Sequence, residues 1–230
     1  MQNKPLIYSL LGISLVAGLL LSVSAPAAQN PIDYRRTLFV RAGQKTLVFE
    51  APQRMCFLDK TQPFESALYN AFQGQVQKNN DRVLLAVFSD CDAIASLGGA
   101  SGTNNIPLNS GTISWLAQSV GETTPLDRGD YLDMRGSSLP QYLKNSPVYS
   151  SQLKLDETTH RTPENVSLGM SGEMRTSYEK QHGIVVIATT TLRHMPIETM
   201  IRFTGKNAAT LEKTYQLMDK FMMQQIALNE

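Results

Sequence analysis

The spacing of apolar positions changes several times along the chain, and each change marks an element. In RRTLFVRAGQKTLVFEAP two β-prone runs, Thr37 to Val40 and Lys45 to Phe49, flank Ala42-Gly43-Gln44, which predicts a hairpin closed by Ala51-Pro52. Phe64, Leu68, Ala71, Phe72 and Val76 then recur at helical spacing, with Thr61 as the expected N-cap, Pro63 in the first turn and an end at Asn79-Asn80. RVLLAVFSDC follows as a nearly continuous apolar run, the pattern of a strand over 82–90 buried on both faces.

The middle of the chain is more irregular. LGGASGTNNIPLNSG has the composition of a surface loop, and Gly98-Gly99-Ala100-Ser101-Gly102 lacks the Lys-Ser/Thr of a phosphate-cradling P-loop. TISWLAQSV predicts a strand carrying Trp115, the sole tryptophan. The stretch from Leu126 to Pro147 predicts one or two short helices interrupted at Gly136 and Pro140. From Val166 onward the pattern is a three-strand meander over 166–178, 183–193 and 197–204, with turns at Lys180 to Gly183 and His194 to Pro196. A terminal helix capped by Asn207 places Leu211, Tyr215, Met218, Phe221, Met222 and Ile226 along one face. Strands joined largely as neighbours, with long helices at two separated points, predict an α+β fold: a mostly antiparallel sheet covered by helices. The expected organisation is one domain over 29–230 with an irregular middle region, 98–165.

The N-terminus sets the compartment. Lys4 is followed by an apolar stretch from Leu6 to Val23 and then by Ala25-Pro26-Ala27, which reads as a signal peptide over 1–28 and predicts a periplasmic or secreted protein. The same stretch, left uncleaved, would serve as a membrane anchor, the one membrane attachment expected. Removing it lowers the 21 basic residues to 20, against 20 acidic ones. A neutral chain without a basic run has no electrostatic footprint for nucleic acid.

In an oxidising compartment the two cysteines, Cys56 and Cys91, are expected to form a disulfide that ties the start of the first helix to the far end of the strand packed on it. Asp90 and Asp92 flank Cys91 and would raise its thiol pKa, which opposes a nucleophilic role. No histidine stands near enough in sequence to complete a metal shell, so no metal site is expected. His160, His182 and His194 fall outside any ligand spacing, in expected loops or turns. Gly169-Met170-Ser171-Gly172 has Glu173 where a nucleophile elbow needs its second glycine. Arg128-Gly129-Asp130 matches an integrin-binding tripeptide, a string short enough to arise by chance.

The segments APQRMCFLD and RVLLAVFSDC, with the hairpin before them and the Asn-ended terminal helix, resemble the Mog1/PsbP-like family and uncharacterised exported proteins of proteobacteria. The resemblance covers most of the chain after the leader and implies an α/β/α sandwich with a binding or assembly role. It transfers no functional residue. The expected function is an exported, non-enzymatic binding or assembly-accessory domain of the bacterial cell envelope, without a cofactor, whose partner is an envelope protein or a small ligand. The alternative is a periplasmic hydrolase using the carboxylates Asp59, Asp90 and Asp92.

Overall fold

The computed structural model describes residues 35–76, 82–97, 109–116, 126–145, 153–156, 159–175, 180–204 and 210–230. The leader, the Gly98 to Gly102 loop and Asn207 lie outside the described residues. The hairpin forms where the sequence places it, as β1 (Thr37–Ala42) and β2 (Lys45–Glu50), paired from Ala42 with Lys45 to Thr37 with Glu50 around a turn that holds Gly43 at φ 58°. It is a separate two-stranded sheet.

The main sheet begins with β3 (Met55–Phe57) and β4 (Val83–Asp90), separated by α1 (Pro63–Val76). Thr61 does not cap α1. Its amide and hydroxyl both donate to Asp59 Oδ1, so the side chain is engaged in the turn before Pro63. The chain continues through α2 (Cys91–Leu97), β5 (Ser110–Trp115), α3 (Arg128–Lys144), β6 (Leu153–Leu155), β7 (His160–Arg161), β8 (Val166–Arg175), β9 (Lys180–Leu192), β10 (Met195–Thr204) and α4 (Leu211–Asn229). The strand order is β3-β4-β5-β10-β9-β8-β6, with β7 also on β8, and every pair described is antiparallel. The 98–165 region therefore contains β5, α3, β6 and β7.

Three further expectations are corrected. The stretch after Leu126 forms one helix, which runs through Gly136 and Pro140. Pro140 forfeits the bond its amide would make to the Gly136 carbonyl, but Tyr131, Leu132, Leu139 and Leu143 are buried against Val166, Leu168, Met170, Val185 and Ile187. That burial outweighs the local preference to stop. Thr210, not Asn207, caps α4, its hydroxyl accepting the Lys213 amide at 3.3 Å. His160 and His182 lie in strands, so only His194 occupies a turn.

Alternation along the strands sends side chains to two different cores. Ile184, Val186 and Ala188 of β9 join Phe88, Ile113, Ile201 and the α4 residues Met218, Phe221 and Met222 in a core that also holds Leu47 and Phe49 of the hairpin. Val185 and Ile187 face α3 on the other side of the sheet. Beneath α1 and α2 a third cluster contains Leu58, Leu68, Tyr69, Phe72, Leu84, Val87 and Ile94. Helices thus cover both faces of the sheet. Among the described residues, no helix is long and apolar enough to cross a membrane.

The hairpin is fixed to α4 by two side-chain amides one helical turn apart. Asn229 Oδ1 accepts the Val48 amide at 2.9 Å and Asn229 Nδ2 donates to the Val48 carbonyl at 2.7 Å. Gln225 repeats the pattern on Glu50, accepting its amide and donating to its carbonyl, both at 3.0 Å. The outward backbone groups of Val48 and Glu50, which would otherwise form a bare edge, are thereby paired.

Candidate functional site

Cys56 and Cys91 are joined by a disulfide, with Cα atoms 5.1 Å apart, as β3 delivers Cys56 beside the end of β4 and Cys91 opens α2. The three acids singled out near this bridge finish local structure. Asp59 accepts from Thr61, and those hydrogen bonds, chiefly the one from the hydroxyl, hold its carboxyl below the ordinary value. Asp90 Oδ1 accepts the amides of Asp92 at 3.0 Å and Ala93 at 3.3 Å, closing the first turn of α2. Asp92 is exposed. The structure brings Asp90 and Asp92 together through this cap and shows no bond from either to Asp59 among the described residues. A carboxyl whose acidity is strengthened suits a general acid poorly.

Gly169 owes its place to packing. A Cβ there would lie 2.3 Å from Leu211 Cδ1 and 2.8 Å from the Tyr215 hydroxyl. That hydroxyl accepts the Gly169 amide at 2.6 Å and donates to Asp156 Oδ2 at 3.0 Å. Burial and the Asp156 carboxylate raise the Tyr215 pKa. Beside it, His160 stacks on the Tyr215 ring at 5.2 Å and meets Asp219 Oδ2 at 2.9 Å, while Asn165 donates to Asp219 Oδ1. These bonds clamp the β7–β8 edge to α4. Ser171 lies inside β8, away from any strand-to-helix turn. Among the described residues no group of three His, Cys, Asp or Glu side chains could hold a metal ion.

At the end of the strands away from the disulfide lies a cleft of about 630 Å³, lined by Lys45, Leu126, Asp127, Arg128, Thr191, Arg193, His194, Asn229 and Glu230. Four separate parts of the chain build it: the start of β2, the start of α3, the β9–β10 turn and the end of α4. The β9–β10 turn determines its shape. Leu192 pairs with Met195, leaving a two-residue connection in which Arg193 has φ 49° and His194 φ 64°. Positive φ at both central positions is the type I′ arrangement, for which Asn-Gly is the favoured sequence. A side chain in this region costs on the order of 1 kcal/mol per residue, and here both residues carry large ones.

The polar contacts in the cleft pair one cation with a carboxylate and hold the other two on carbonyls. Lys45 Nζ donates to the Arg193 carbonyl at 2.5 Å, and Arg193 Nε donates to the Asn229 carbonyl at 3.0 Å. Arg128 donates to the Thr191 carbonyl at 3.3 Å and pairs with Glu230 at 2.5 Å. Asp127 Oδ1 accepts the Asp130 amide and so caps α3. His194 Nδ1 lies 3.2 Å from the Leu126 carbonyl, which can only accept. The proton is therefore on Nδ1, and Nε2 is the nitrogen left toward solvent. Lys45 and Arg193 thus meet neutral oxygens alone among the described residues.

Of these cleft residues sequence reasoning weighed for chemistry only His194, set aside for want of ligand spacing, and Arg128, in the discounted RGD string. The signal that could have found the site is Arg-His between two β-prone runs where a tight hairpin favours Asn-Gly. No protein-family model matches the chain, and no curated protein is similar enough to count as a relative.

Proposed function

We propose that this protein is an exported, non-catalytic binding module of the bacterial cell envelope, and that its ligand is a small anion held in the cleft between the β9–β10 turn and the ends of α3 and α4. One observation carries the reading: Lys45 and Arg193 converge on a cleft of about 630 Å³ while bonded, among the described residues, only to carbonyls. A cation satisfied by a neutral acceptor retains the charge that attracts a carboxylate or phosphate, and guanidinium nitrogens offer it a bidentate fork. The twist at Arg193 and His194 supports the same reading, since backbone strain held in place by surrounding structure concentrates at binding sites. Export rests on the apolar N-terminal stretch and on the Cys56–Cys91 bridge, the kind of bond that persists in oxidising compartments. The hydrolase reading has no comparable support, because Asp59 and Asp90 are engaged in a turn and a helix cap.

Titration calorimetry with inorganic phosphate and with citrate tests the binding claim. The expected result is saturable binding of at least one of them, weakened at least tenfold in Arg193→Ala. No binding of either at millimolar concentration, or equal affinity in the variant, would overturn it. Cell fractionation checks export separately: recovery of the full-length chain in the cytoplasm would defeat that part.

A further inference from the structure

The two edges of the β1–β2 hairpin differ. Val48 and Glu50 of β2 turn their backbone groups toward Asn229 and Gln225, which pair them completely. In an antiparallel ladder, residues opposite one another either exchange both hydrogen bonds or point both away. Phe39 and Thr37 lie opposite Val48 and Glu50, and Arg41 opposite Thr46, so the backbone groups of Thr37, Phe39 and Arg41 face outward on the far edge. No hydrogen bond joins these groups to any other element among the described residues. The edge carries a single charge, Arg41. It has no proline and no register shift, and its central side chain, Phe39, is 70% exposed. Sheet edges are commonly protected by charge, proline or a bulge.

We propose that β1 is a homodimerisation edge, on which β1 of a second copy adds antiparallel across a two-fold axis centred on Phe39. The outward positions are three and evenly spaced, so this axis sets Phe39 against its own counterpart and Thr37 against Arg41 of the other copy, making about six backbone hydrogen bonds. Arg41 then faces a hydroxyl instead of another cation. A chain of formal net charge +1 carries little general repulsion between copies. The edge is held rigid before it pairs, because Leu47 and Phe49 are fully buried and α4 grips β2. One strand and one aromatic side chain cover less than the roughly 800 Å² per partner of a standard interface, the size class of weak, transient associations.

Analytical ultracentrifugation of the purified protein over a hundredfold concentration range tests this, together with amide exchange at Phe39 and Arg41. The expected result is a concentration-dependent monomer–dimer equilibrium, with exchange at these two amides slowing as dimer forms. Phe39→Pro removes an outward amide that β2 does not use, so it should leave the circular dichroism spectrum intact and weaken dimerisation at least tenfold. In Phe39→Cys, mild oxidation should give a covalent dimer, whereas Met134→Cys, exposed elsewhere on the chain, should not. A monomer at every concentration would overturn the proposal and leave the edge to a different chain. So would a dimer that Phe39→Pro does not weaken.

Discussion

At the end of the sheet where β3 and β4 meet α1 and α2, polar side chains complete local structure. Asp59 holds a turn, Asp90 caps α2, Glu65 accepts both Arg35 and the Asp59 amide, and a disulfide closes the region. At the opposite end, where β9 turns into β10, polar side chains converge on open space: Lys45 and Arg193 are held by carbonyls, and the turn adopts a backbone that its residues disfavour. The contrast separates two meanings of a polar cluster. One whose members finish a turn, a helix cap and an ion pair completes local structure. One that holds cations on neutral oxygens beside a cavity, on strained backbone, is the kind of cluster on which the proposed anion site rests.

The largest expected effect sharpens the stability side of that contrast. Cys56→Ala and Cys91→Ala each reopen the same loop, spanning a separation of 35 residues, and should each lower stability by about 4 kcal/mol in the chain-entropy account. Denaturant titration should find the two losses equal, with anion affinity unchanged in the folded fraction. Unequal losses would give one cysteine a role beyond the bridge.

Next in size are the amides that seat the hairpin. Gln225→Ala and Asn229→Ala each strand a backbone amide and carbonyl of β2, which should cost about 1–3 kcal/mol in thermal or chemical denaturation. Asn229→Ala should also weaken anion binding, because its side chain ties the end of α4, a wall of the cleft, to Val48 and so fixes the backbone carbonyl that accepts from Arg193. Gln225→Ala should leave binding nearly intact.

The most discriminating exchange is smaller. Replacing Arg193-His194 by Asn-Gly gives the turn its preferred sequence and should stabilise the fold by about 1 kcal/mol. The same change should abolish anion binding. A gain in stability with binding retained would mean that the strained turn serves no ligand.

At neutral pH the smallest effect comes from Tyr131, whose hydroxyl is bonded to Thr189 at 2.6 Å and whose pKa burial pushes up to about 12. Because the folded protein resists ionising this group, its contribution is intact below the unfolded tyrosine value of about 10 and is lost as pH rises toward 12. Tyr131→Phe should flatten the alkaline limb of a stability–pH curve while changing neither the disulfide end nor the cleft.

Much of this framework is legible in local patterns. The hairpin, the α4 stripe and the cysteine pairing follow from periodicity and compartment, because each depends on residues close in sequence or on a count of two. Helix α3 was harder, since Gly136 and Pro140 argue locally against a helix that tertiary burial of Leu139 and Leu143 maintains. Gln225 and Asn229 fall on the buried face of α4 yet escape an apolar-stripe reading, because their partners, Glu50 and Val48, lie 175 and 181 residues away. The cleft is the extreme case. Lys45, Arg128 and Arg193 have no common motif, and only the sheet register and the docking of α4 bring them together.

The central claim is that the β9–β10 end binds an anion while the disulfide end does not. A two-dimensional ¹⁵N–¹H NMR titration of the protein with inorganic phosphate tests both halves in one measurement. The account predicts saturable shifts at Arg128, Arg193 and His194, with the amides of Asp90, Cys91 and Asp92 unmoved. Shifts centred on α2, or none at the β9–β10 turn up to millimolar phosphate, would contradict it.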